Sequence, residues 1–166
     1  MSRQFEIKQK MWSLGGKFTI KDESGKPAYE VKGSFLQIPK TFTLSDMSGN
    51  LISQIEKKML TFLPQFTVSL SNGQSFVLKK QFTWFKPRYS LSGLNMTVQG
   101  DWWDMNFTLS QKGRKIAEIN QAWLAMTSTY QVTVLDDAYA DLVISLVVAI
   151  DYVKEQEAAA ASSSAT

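Results

Sequence analysis

Residues 142–153 read Leu-Val-Ile-Ser-Leu-Val-Val-Ala-Ile-Asp-Tyr-Val, and this stretch decides the fold. Leu142, Leu146, Ile150 and Val153 recur at helical spacing, and the positions between them are apolar as well. The β-branched content would also permit a strand. Length favours a helix, because 12 residues pass without a turn signal. Asp136, Asp137 and Asp141 cluster where a helix N-terminus wants negative charge, and Lys154 stands near the far end, where a cation is favoured. A helix apolar on every side must be surrounded by protein. Lipid is the poorer candidate for that wall. The run 142–150, broken only by Ser145, is nine residues long, against roughly 20 needed to span a bilayer.

The rest of the chain supplies the wall. Phe18-Thr19-Ile20, Phe42-Thr43-Leu44 and Phe66-Thr67-Val68 start 24 residues apart, and each is followed by a glycine seven residues after its phenylalanine: Gly25, Gly49, Gly73. The phrases before these glycines, Asp22-Glu23-Ser24, Asp46-Met47-Ser48 and Ser71-Asn72, are turn sequences. Weaker copies begin at Tyr89, Phe107 and Tyr130, with Gly93 and Gly113 in their turns. Apolar residues alternate with polar ones through these segments, so each strand has one wet face. Ile52/Ile55 and Ile116/Ile119 are three apart, which predicts a bulge in each return strand. The reading gives 12 strands, at 3–9, 16–22, 27–33, 40–46, 51–58, 65–71, 74–81, 87–92, 94–100, 104–110, 115–123 and 129–135. A barrel of that size is too wide for its own side chains to fill, and the helix needs walls. The expected fold is mainly β: a 12-stranded antiparallel closed barrel around one buried apolar C-terminal helix. It forms a single domain over 1–156, and the Ala/Ser-rich residues 157–166 are expected to be a disordered tail.

Several chemistries are excluded by composition. The chain has no histidine and no cysteine, which removes Ser-His-Asp triads, thiolate nucleophiles and Cys- or His-ligated metals. Neither glycine-rich nucleotide loop occurs. The Asp-x-Ser-Gly turns do not continue to the glutamate that a calcium loop of the EF-hand kind requires. Asp101-Trp102-Trp103-Asp104 places two carboxylates beside aromatic rings, as a glycosidase or sugar site could. The competing reading, which we favour, is a link whose tryptophans plug the core and whose aspartates face water. No catalytic residue, metal or cofactor is expected, and the chain is read as no enzyme.

Charge is uneven. Residues 1–90 hold 14 Lys/Arg and 6 Asp/Glu, a surplus of eight, whereas residues 91–166 hold 4 and 9, a deficit of five. Return strands end on lysine repeatedly: Lys32, Lys57-Lys58 and Lys79-Lys80, with Lys86 and Arg88 in the link that follows. In an up-and-down barrel those ends share one rim, opposite the glycine turns. These seven side chains are the candidate anionic-ligand site. The apolar links on that rim, Phe35-Leu36-Gln37-Ile38-Pro39, residues 59–64 and residues 82–87, are expected to fold over the barrel end and close its core. The alternative is an exposed aromatic lip for ligand or membrane. The one tight mix of basic and stacking residues, Lys79-Lys80 with Phe82, Trp84 and Phe85, is a weak signal for nucleic acid.

The ordered series Phe18-Thr19-Ile20-Lys21-Asp22-Glu23-Ser24-Gly25, Gly100-Asp101-Trp102-Trp103-Asp104-Met105-Asn106-Phe107, residues 117–123, Tyr130-Gln131-Val132, and 142–150 followed by Asp151 resembles the bacterial LURP-one-related proteins over about residues 3–156. The resemblance implies membership of the tubby C-terminal-like and phospholipid-scramblase group, with a 12-stranded barrel around a central hydrophobic helix. Tubby domains bind phosphoinositides through basic side chains, but those positions do not match one by one here. Scramblases carry an acidic calcium-binding segment before their terminal helix. Asp136, Asp137 and Asp141 occupy that region with a different spacing and read more simply as a helix start. The expected function is a non-catalytic binding module for anionic lipid or a phosphorylated ligand at a membrane surface. The alternative is a structural or protein-interaction domain. No secretory signal is evident, and a cytoplasmic protein able to sit peripherally on a membrane is expected.

Overall fold

The computed structural model describes residues 2–8, 16–33, 41–84, 88–124 and 127–164. Twelve strands run in chain order among them: β1 Arg3–Lys8, β2 Lys17–Asp22, β3 Pro27–Gly33, β4 Thr41–Asp46, β5 Leu51–Lys57, β6 Gln65–Leu70, β7 Ser75–Gln81, β8 Arg88–Ser92, β9 Thr97–Asp101, β10 Asn106–Gln111, β11 Arg114–Leu124 and β12 Thr127–Val134. A short 3-10 turn, Asp137–Tyr139, leads into helix α1, Ala140–Ser164. Chain neighbours pair antiparallel except β8 and β9, and β1 pairs with β12, so the two ends of the meander meet.

The first three hairpins are built alike, as their sequences require. Gly25, Gly49 and Gly73 donate their backbone N–H to Asp22, Asp46 and Leu70, and all three have positive φ (77°, 88° and 91°). That conformation strains any residue with a Cβ. Asp22 Oδ1 accepts from the Ser24 and Lys26 amides, and Asp46 Oδ1 from those of Ser48 and Asn50. Register slips once in β4–β5, where Leu44 faces Ser53 but Ser45 faces Leu51, and once in β10–β11, where Leu109 faces Ala117 but Ser110 faces Lys115. The extra residues are Ile52 and Ile116, the positions where alternation breaks in the sequence. A third slip leaves Ala28 extra in β3.

Helix α1 threads the sheet. All twelve residues from 142 to 153 are buried, against a lining that includes Phe5, Ile7, Phe42, Ile55, Phe66 and Leu109. Tyr152 packs on Phe42 and edge-on to Phe66, with ring centroids 4.2 and 5.6 Å away. The two polar interruptions are satisfied. Ser145 Oγ donates to the Asp141 carbonyl (2.6 Å) and lies 2.7 Å from Ser53 Oγ, whose proton completes the pair. Tyr130 Oη donates to the buried Asp151 carboxylate at 2.9 Å. Burial without these partners would cost roughly 1–3 kcal/mol per group.

Three expectations change. The sheet is not a closed barrel, because β8 and β9 stand at its two edges and share no ladder. Side chains occupy that seam instead. Tyr89 of β8 stacks on Trp103 of the β9–β10 turn, with centroids 4.9 Å apart and planes 6° from parallel. Both edge strands are only five residues long, which limits their unpaired backbone. Next, α1 runs on through residues 157–164, which the sequence reading sets apart as a tail. Alanine has the highest helix propensity, and extending a helix already nucleated by buried turns is easy. Lys154 is therefore mid-helix, and its ammonium is held by the Trp103 carbonyl (2.9 Å) beside the Trp103 ring, with Asp104 at 3.9 Å. The third change concerns the apolar links.

Candidate binding rim

Chain direction fixes where the basic residues fall. β3, β5 and β7 run toward one end of the sheet, while β9 arrives there at the Trp102–Trp103 turn, so that end is a single rim. The opposite end carries the glycine turns and the start of α1, where Asp136 accepts from the Ala138 amide as an N-cap and from Arg114, Asp137 pairs with Arg3, and Asp141 accepts from Tyr29 Oη. The three acids thus fasten the helix start to strands.

The seven candidate cations do not form one ring. Strand alternation divides them. Lys57 and Lys80 have the parity of the core residues Ile55 and Leu78, so they face the mouth of the sheet, whereas Lys32, Lys79 and Arg88 lie on the outer wall. Lys58 follows β5, with its amide bonded to the Gln65 carbonyl at 2.8 Å. Lys86 lies outside the described residues. Two of the remaining six are already committed to carboxylates. Lys32 shares Glu30 with Lys17, each 3.0 Å away, and these bonds hold the Glu30 carboxyl below its ordinary range. Lys80 is half-buried and ion-paired to Glu157 of α1. Glu157 also accepts from Tyr89 Oη at 2.9 Å; burial, with this carboxylate second, pushes the Tyr89 phenol up. The ammonium of Lys57 lies 5.9 Å from the Phe66 ring centroid. Among the described residues, Lys58, Lys79 and Arg88 are exposed and make no ion pair.

Sequence reading missed Glu157, having assigned it to the tail. Its position four residues beyond Val153 put it on the helix face that had just left the core, and that spacing was the available signal.

The described parts of two links, residues 59–64 and 82–84, do not close the core. Phe62 is 94% exposed, Trp84 85%, and Leu60 is fully exposed, with Phe82 largely and Met59 about half exposed. The helix already fills the mouth, leaving these side chains nothing to plug. The Pro64 carbonyl accepts from the Lys80 amide at 2.9 Å, which sets the β5–β6 and β7–β8 links side by side. Phe82 and Trp84 meet edge to face at 5.4 Å. Phe35 and Phe85 lie outside the described residues. Asp101 and Asp104 bracket a turn in which Asp101 Oδ1 accepts from the Asp104 amide at 3.0 Å, while Trp102 and Trp103 pack partly buried on the core. The arrangement is a plugged turn, as favoured from the sequence.

The chain is a helix-threaded antiparallel sheet with Leu60, Phe62 and Trp84 exposed on one rim. The model of the LURP-one-related family matches residues 3–151, and the chain belongs to that family. It is 26% identical over 147 residues to the Bacillus subtilis (strain 168) protein YxjI, spanning 89% of this chain and 91% of YxjI. An X-ray structure of an Arabidopsis thaliana protein is similar with a TM-score of 0.54 at 17% identity, covering 88% of this chain and 89% of that one. That likeness is one of fold.

Proposed function

We propose that this domain is a non-catalytic module that docks on anionic lipid surfaces through the basic rim. The observation that carries the reading is the clustering of Lys57, Lys58, Lys79 and Arg88 on β5, β7 and β8, within four adjacent strands, at one end of the sheet. Each such cation near anionic headgroups contributes about 1 kcal/mol, so the four together supply about 4 kcal/mol, enough for reversible peripheral binding. Lys80 contributes less while Glu157 holds it, and Lys32 less while Glu30 does. The resemblance to the tubby and scramblase group supports the same ligand class. No helix among the described residues is long and apolar enough to cross a membrane, and the proposed contact is with the surface.

Replacing Lys57, Lys58 and Lys79 together by glutamine tests this. Binding to mixed phosphatidylcholine–phosphatidylserine vesicles is expected to fall about 100-fold, at about 1 kcal/mol per lysine, with an unchanged melting temperature. Equal binding by the variant and the wild type would reject the rim. The competing reading is a protein-interaction domain, favoured by the unpaired edges of β8 and β9; a wild-type protein that ignores anionic vesicles even at low salt would favour it.

A further inference from the structure

We infer that the two apolar links are an insertion lip: on an anionic bilayer, Leu60, Phe62 and Trp84 enter the headgroup–acyl boundary while the basic rim holds the headgroups. The inference rests on the membrane-surface reading and adds to it a second, salt-resistant component of binding. Three observations carry it.

The first is exposure. Five large apolar side chains, Met59, Leu60, Phe62, Phe82 and Trp84, stand on two adjacent links beyond the strand ends. Scattered exposed apolar residues are ordinary, whereas a contiguous cluster marks an interaction surface. The second is backbone conformation. Leu60 has φ +61°, a left-handed geometry that glycine or asparagine would adopt at lower cost. The chain nevertheless places leucine there, fully in water, where it gains nothing from its own fold. Strain of this kind persists where the side chain serves a purpose. The third is charge complementarity and shape. Lys58 and Lys79 stand at the bases of the two links, and the exposed Phe82 and Trp84 rings are already paired edge to face. Exposed aromatics bordered by cations suit the interfacial zone of an anionic bilayer, where tryptophan is favoured.

The test compares wild type with Leu60→Asn/Phe62→Ser/Trp84→Ser. Asparagine accepts the left-handed backbone, and all three sites are exposed, so the melting temperature is expected to hold. Binding to phosphatidylcholine–phosphatidylserine vesicles is measured against rising salt. Wild-type binding is expected to decline to a residual level, because salt screens the cations but not the buried apolar area. The variant is expected to bind about 100-fold more weakly at low salt and to lose the residual level entirely. Lipids brominated in the upper chain should quench part of the wild-type tryptophan emission, and Trp84→Phe should remove that part. If the variant binds as wild type does, or Trp84 contributes no quenching while the protein is bound, the lip does not insert and the rim alone stands. Failure of wild type to bind anionic vesicles at all would instead reject the rim reading beneath it. Sedimentation velocity covers the remaining occupant: a wild-type dimer that the triple variant turns into monomer would make the lip a self-association surface and overturn the inference.

Discussion

Replacing Leu146 by aspartate asks whether the helix is a core or an ornament. Leu146 is completely buried within the core-filling stretch 142–153 of α1. Truncating a buried leucine alone costs roughly 2–5 kcal/mol. An aspartate at that depth must also carry an unpaired charge or take up a proton. Protonation at pH 7 starts from an ordinary pKa near 3.9, about three units away, and each unit is about 1.36 kcal/mol. The cheaper route therefore adds about 4 kcal/mol to about 3 for lost packing. The sum, about 7 kcal/mol, is comparable with the whole stability of a typical domain, about 5–15 kcal/mol. Leu146→Asp should be molten or insoluble by gel filtration and near-ultraviolet circular dichroism. Leu146→Ala should stay folded, with its urea midpoint lowered by an amount equivalent to about 3 kcal/mol. A soluble Leu146→Asp protein with the wild-type midpoint would show that α1 lies outside the core.

Alkali should unfold the protein abruptly. Burial raises the phenols of Tyr29, Tyr89 and Tyr130, which also donate to Asp141, Glu157 and Asp151, and pushes Tyr152 up to about 12. A raised acid is neutral in the fold, so its stabilisation is complete below the unfolded pKa near 10 and is lost as pH rises through the folded value. With four such groups the slope approaches about 5 kcal/mol per pH unit, and phenolate absorbance should appear together with loss of tertiary structure. Deleting residues 158–166 should leave the melting temperature almost unchanged, whereas Glu157→Gln should lower it by an amount equivalent to about 1–2 kcal/mol, because the amide carries no charge for Lys80 and offers only one acceptor oxygen where Lys80 and Tyr89 each used one. Gly100→Ala should be far more damaging than Gly25→Ala in the same melt. At φ +103° an added Cβ would lie 2.5 Å from the Asn106 carbonyl oxygen, whereas at Gly25 it meets open space and costs about 1 kcal/mol of strain.

The elements were legible because their signals are local. Asp22 and Asp46 with their glycines specify a turn within five residues, and Ile52 and Ile116 announce their bulges by breaking alternation. The stretch 142–153 is apolar on every face, which demanded a surrounding wall. Closure was not legible, since a ladder between β8 and β9 depends on how the whole sheet coils around the helix, and the stacking of Tyr89 on Trp103 joins residues that no pattern pairs. Helix beyond Val153 was hidden because Ala-rich chain is helical only when something nucleates it. At the rim, sequence placed Lys57, Lys58, Lys79 and Lys80 at strand ends but could not separate those free to bind from those held by carboxylates. Nor could it tell whether Phe62 and Trp84 turn inward, because an apolar link reads the same either way.

The central claim, that the basic rim meets an anionic surface, is tested most directly by sedimenting the wild-type protein with phosphatidylcholine vesicles of graded phosphatidylserine content, with duplex DNA at matched salt as the control. Bound fraction should climb steeply with phosphatidylserine from a low level on pure phosphatidylcholine, with little affinity for DNA. Binding that is absent at every composition, or equally strong on DNA, would contradict a lipid-docking rim.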